Sequence, residues 1–190
     1  MLFLVTLAAL GPVSARALSP AGGAALGAGL QAGAAAARSS LHPANVQTWL
    51  STRLLLEFPL VRVLGLGFSL GYHLADESAP VSGVLYRGHH GLEFATYLLL
   101  RSALAVDRPR AGIAAGGSAN FDVYNLTELL FFYPSLTAGP YLELPIEGPP
   151  RHSFSFGLPC RLDFRRDLEL SASIGLEISW RWYPAWKEGT

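Results

Sequence analysis

Residues 168–183 read LELSASIGLEISWRWY. Leu168, Leu170, Ala172, Ile174, Leu176, Ile178, Trp180 and Trp182 alternate with Glu169, Ser171, Ser173, Gly175, Glu177, Ser179 and Arg181. Side chains leave a strand alternately from its two faces, so a two-residue period sustained this long is a strand with one apolar and one polar face. The fold turns on which solvent each face meets.

The pattern recurs along the chain. VLGLGFSLGYHL (63–74), GLEFATYLLLR (91–101), SLTAGPYLELPI (135–146) and SFSFGLPCRLDF (153–164) alternate in the same way, and 26–36, 50–58 and 112–123 do so more loosely. Eight strands result. Three of the links between them are compact: EFPLVR (57–62), AVDRPR (105–110) and EGPPRH (147–152), where proline suits a turn and cannot continue a ladder. The links RSSLHPANVQ (38–47), ADESAPVSGVLYRGHH (75–90) and DVYNLTELLFFYP (122–134) are longer, and FRRDL (164–168) is short. Alternating short and long links suit an antiparallel meander whose two ends face different compartments.

Two closed solutions fit, and they are inside-out versions of each other. A soluble lipocalin-like carrier points its apolar residues inward, whereas a membrane barrel points them at lipid. The polar positions favour the second. The chain is 51% hydrophobic and 15% charged, against roughly 25% charged for a typical soluble domain. Of 14 basic residues only Lys187 is lysine. The polar face is mostly Gly and Ser, with Arg53, Glu57, Glu93, Arg101, Glu143, Arg161, Asp163, Glu177 and Arg181 among them. The lumen of an eight-stranded barrel is just wide enough to be filled by side chains, which suits small residues beside a few large ones. Enclosed charges need partners, and the planar guanidinium of arginine serves that better than lysine. These nine residues are therefore expected to form a charge network in the lumen.

The apolar face carries aromatics at two levels. Phe154, Phe156, Trp180 and Trp182 fall near the short-turn end, and Trp49, Tyr72, Phe121 and Phe164 near the long-loop end. Two such groups suit the interfacial girdles of a membrane barrel, and all eight are expected to face the lipid interface.

With this pattern over most of residues 24–183, the chain resembles the small eight-stranded outer-membrane barrels of the OmpA/OmpX/OmpW-like class. The resemblance implies an all-β, up-and-down antiparallel transmembrane barrel in the outer membrane, in contact with membrane lipid. Its long loops would face outside and meet extracellular ligands, and its role would be structural, surface-binding or the passage of small solutes. Members of that class commonly finish on an aromatic residue, whereas here Tyr183 is followed by PAWKEGT.

The N-terminus MLFLVTLAALGPVSARA reads as an export signal over 1–17, leaving the barrel in 18–190. Leu18–Ala37 is long enough for a membrane helix, but alanine and glycine supply little driving force. It reads better as a stretch running into the first strand.

Chemistry is sparse. Fourteen basic residues balance fourteen acidic ones, so there is no footprint for nucleic acid. One cysteine, Cys160, excludes a disulfide framework, and the five histidines lack a zinc-type spacing, so no metal or cofactor is expected. The alternative to a non-enzymatic barrel is a membrane-embedded lipid-modifying enzyme using His152, Ser153 and an acid such as Glu143 or Asp163. Neighbours on a strand point to opposite faces, which disfavours His152 with Ser153.

Overall fold

A computed structural model describes residues 24–38, 45–61, 63–81, 84–102, 108–124, 130–146, 151–165 and 170–184. The proposed export signal lies outside these residues. The ladder runs β1 (Ala25–Arg38), β2 (Asn45–Val61), β3 (Leu64–Val81), β4 (Val84–Arg101), β5 (Arg110–Tyr124), β6 (Leu130–Ile146), β7 (Arg151–Gly157), β8 (Cys160–Asp163) and β9 (Leu170–Tyr183). Each strand is antiparallel to its neighbours, and β1 pairs with β9 to close the sheet, as in Leu26 opposite Trp182 and Arg38 opposite Leu170. Closure leaves no free edge, the condition for backbone to cross lipid. Most of the stretch considered for a membrane helix is strand β1.

β7 and β8 are two pieces of one barrel strand, so nine segments make eight staves. Both lie between β6 and β9. The alternation of 153–164 predicts one unbroken strand, and the structure interrupts it at Leu158–Pro159, where proline has no N–H for the ladder. Bonds from Leu158 N to Pro140 O (3.0 Å) and from Gly175 N to Pro159 O (2.9 Å) hold the wall together across the break.

The links also differ from the sequence reading. β3 and β4 stay paired as far as Val81 opposite Val84, so most of the long link 75–90 is a hairpin extension of the wall. In the same way β5 and β6 continue to Val123 opposite Leu130. Strands of 17 and 18 residues exceed the roughly 9–11 that cross a bilayer, so the wall rises past the lipid at the loop end.

Sidedness is inverted relative to a soluble domain. Leu54, Leu136, Ile174 and Leu176 lie on the outer surface, with Leu176 66% exposed, while Gln31, Asn120, Asp122, Glu143, Ser153 and Ser179 are almost wholly enclosed. An apolar belt of this extent has no stable place in water. The lipocalin alternative needs the opposite orientation and is excluded by it. β9 gives the answer residue by residue: Ile174, Leu176, Ile178 and Trp180 face out, and Gly175, Glu177, Ser179 and Arg181 face in.

Candidate functional site

The inward positions of all the staves converge on a lumen packed with charge. Near the short-turn end, Arg181 Nε and Nη2 each lie 2.9 Å from Glu57 Oε1, and Tyr97 Oη donates to the same oxygen at 3.3 Å. Beside them Arg110 Nη2 is 2.7 Å from Glu143 Oε2 and donates to Tyr183 Oη at 2.9 Å. Ser153 Oγ donates to Glu143 Oε1 at 2.6 Å, and Tyr183 Oη donates to that oxygen as well. Arg101 is buried at this end, with its guanidinium where a side chain at Gly65 would stand.

At mid-height Arg53 reaches Glu93 Oε1 and Glu177 Oε2, each at 3.4 Å, and also bonds Gln31. Arg161 grips the other oxygen of Glu93, donates from Nε to Asp163 Oδ1 at 2.5 Å, and donates from Nη2 to Asn120 Oδ1 at 2.8 Å. Glu93 therefore sits between two arginines from opposite sides of the barrel. Paired, multiply bonded charges of this kind are how ionised groups persist away from water.

The nine charged residues expected in the lumen thus all face it: Glu57, Glu93, Arg101, Glu143 and Arg181 are buried, and Arg53, Arg161, Asp163 and Glu177 are partly so. Their ion pairs connect staves far apart in sequence. The sequence reading missed Arg110, Gln31, Asn120 and Tyr183, which share these bonds. Arg110 falls at the end of the proline-containing link 105–110, but its phase with Gly112 places it inside.

Among the described residues, two cavities lie within the packed lumen. One of about 70 Å³ is lined by Arg53, Glu93, Tyr97, Leu99, Glu177 and Arg181, among others. A second of about 40 Å³ lies toward the loop end, beside Trp49, His73, His89, Tyr133, Arg161 and Arg165. Each holds at most a few waters. The Arg53–Glu93–Arg161 bridge stands between them, since Arg53 and Glu93 border the first and Arg161 the second.

Of the eight aromatics expected at the lipid interface, Trp49 is a correction. It shares its phase with Ser51 and Arg53, and its ring lies inside the lumen against Gly33 and Gly175. A Cβ at those glycines would come within 2.7 and 3.0 Å of Trp49 Cζ2, so their missing side chains make the space for an indole in so narrow a barrel. The other seven lie on the outer face. Tyr72, Phe154, Phe156, Phe164 and Trp180 are exposed, and Phe121 and Trp182 are half-buried there. Phe121 packs between Phe94 and Phe132, at centroid distances of 6.1 and 5.2 Å.

His152 and Ser153 separate as strand geometry requires. His152 stacks outside on Trp180 at 5.2 Å, while Ser153 bonds Glu143 inside. They cannot share a proton.

No protein-family model and no curated protein matches the sequence. Among solved structures the chain is similar to neisserial surface protein A (NspA), at 16% identity over 84% of this chain and 98% of that one, with a TM-score of 0.53. It also aligns with Ail of Yersinia pestis (9% identity, 84% and 99% covered, TM-score 0.48) and OprG of Pseudomonas aeruginosa (6%, 87% and 95%, TM-score 0.48). By its closed antiparallel wall, lipid-facing exterior and likeness to NspA, the chain has the fold of the small outer-membrane barrels.

Proposed function

We propose that the chain is a non-enzymatic outer-membrane protein with a sealed lumen, serving as a rigid lipid-embedded base for the strand extensions and loops it carries outward. The observation behind this reading is the Arg53–Glu93–Arg161 bridge between the two small cavities. A solute path would have to break ion pairs that hold one another in place, leaving enclosed charge unpaired, at a cost of about 3–5 kcal/mol per broken pair. Above the lipid, β3 and β4 project as a paired hairpin, which suits a surface that recognises something outside the cell.

Planar-bilayer recording on the refolded protein tests this. The wild type is expected to show no sustained conductance, and removing the septum with Glu93→Ala/Arg161→Ala is expected to produce one. Steady conductance from the wild type would assign the chain to solute passage instead.

A further inference from the structure

At the loop end, three lumen residues from three adjacent strands meet: His73 on β3, His89 on β4 and Asp122 on β5. All three are buried, and Asp122 has no exposed surface. His73 Nε2 lies 2.8 Å from Asp122 Oδ1 and His89 Nε2 lies 3.2 Å from Asp122 Oδ2. We propose that this cluster is a binding site for a divalent first-row transition-metal ion, with His73, His89 and Asp122 as its protein ligands.

Backbone features specific to this spot build the cluster. Gly91 lies opposite His73 on one side and opposite Asp122 on the other. A Cβ on Gly91 would overlap Asp122 Oδ1, so only glycine lets the carboxylate reach across its strand to the histidine. Just before His89, the β3–β4 pairing slips between Ala75 and Ser78, and Gly88 takes a φ of 76°, a left-handed conformation natural to glycine. Such a bulge re-aims the side chains that follow it. Here His89 points inside and His90 points out, with its ring against Tyr72 at 6.0 Å.

The spacing of the donor atoms suits coordination. His73 Nε2 and Asp122 Oδ1 stand 2.8 Å apart, yet neither atom completes a hydrogen bond. Buried polar atoms left in this state call for an explanation, and a bound ion is one. Around a metal about 2.0–2.1 Å from each ligand, donor atoms stand roughly 3–3.5 Å apart, close to the spacings found here. The three donors lie within 4.8 Å of one another, so small rotations complete the set. Tyr133 Oη donates to Asp122 Oδ2 at 2.8 Å and orients the carboxylate, a typical outer-sphere support. The 40 Å³ cavity beside His73 and His89 leaves room for a water or hydroxide on the metal. Arg161 borders that cavity, but its charge is met by Glu93 and Asp163, and Arg165 lies over the Tyr133 ring at 5.5 Å.

Two imidazoles and one carboxylate select zinc, copper, nickel or cobalt over calcium and magnesium, which take all-oxygen sites. The ion would tie three neighbouring staves together where they rise from the lipid.

Calorimetric titration of the tag-free full-length barrel with Zn²⁺ tests the site. One saturable site per chain is expected, weakened by roughly tenfold or more in His73→Gln and Asp122→Asn. His90→Gln, which alters a histidine outside the lumen, should bind as the wild type does. Heat-modifiable gel migration identifies the folded variants, and Zn²⁺ should raise the unfolding temperature of the wild type and His90→Gln but not of His73→Gln. Should any variant fail to fold, Cu²⁺ electron paramagnetic resonance on the wild type must still show hyperfine coupling to two imidazole nitrogens. Absence of saturable Zn²⁺ binding to the wild type, or wild-type affinity in a folded His73→Gln/His89→Gln variant, would overturn the proposal.

Discussion

Arg181 and Glu57 lie on opposite sides of β1 and are joined across it: both Nε and Nη2 of the arginine stand 2.9 Å from one glutamate oxygen. Gly27 is the β1 residue opposite Arg181, and it presents no side chain between them. The pair ties the last stave to the second at the seam where the barrel closes. Arg181→Ala should therefore leave Glu57 enclosed and unpaired, at a cost of about 3–5 kcal/mol. The midpoint of heat-modifiable unfolding should fall clearly. Replacing both partners, as in Glu57→Leu/Arg181→Met, should restore most of the loss, because the penalty lies in the orphaned charge.

Trp49 and Trp180 differ in surroundings despite both being indoles near a membrane boundary. In single-tryptophan variants, lipids brominated along the acyl chain should quench Trp180 strongly and Trp49 weakly. Equal quenching would place the Trp49 ring outside the wall.

Cys160 is exposed on the outer face, between Ala138 on β6 and Ile174 on β9. As the single cysteine of the chain it is a native probe. In intact bilayers a lipid-soluble maleimide should label it and a membrane-impermeant charged maleimide should not. Efficient reaction with the charged reagent would mean that this part of the wall faces water.

Gly91→Ala should destabilise the barrel beyond the ordinary effect of a strand substitution, since the added methyl overlaps the Asp122 carboxylate. Overpacking of this kind costs about 1–3 kcal/mol. Pairing the change with Asp122→Ala, which removes the carboxylate, should recover only part of the loss, because the backbone carbonyl oxygen of Phe121 still stands 2.5 Å from the added carbon. Strict additivity of the two would show that the carboxylate has no part in the collision.

Much of the architecture was legible in the sequence because a lipid-facing wall enforces its alternation. Ile174 to Trp180 could be assigned to a face by counting in twos, and the scarcity of lysine showed which face was enclosed. The same counting from Arg53 reaches Trp49, so its place in the lumen was available in the phase of β2. Its position near the strand end points to an interface instead, and phase is the stronger signal. The hairpin at 75–90 was hidden for a physical reason: above the lipid both faces of a strand can meet water, and alternation is no longer required. The proline break in 153–164 was obscured because the alternation carries straight through it. Least legible was the cluster of His73, His89 and Asp122. It depends on cross-strand register and on the bulge at Gly88, neither of which a single strand's pattern records.

The central claim is that the apolar positions of these strands touch lipid and the polar ones fill the lumen. A nitroxide scan of residues 174–181, one label at a time in bilayers, tests it most directly. Collision with dissolved oxygen should be high at 174, 176, 178 and 180, and low at 175, 177, 179 and 181, a two-residue period in that phase. A scan without alternation, or with the opposite phase, would contradict the account.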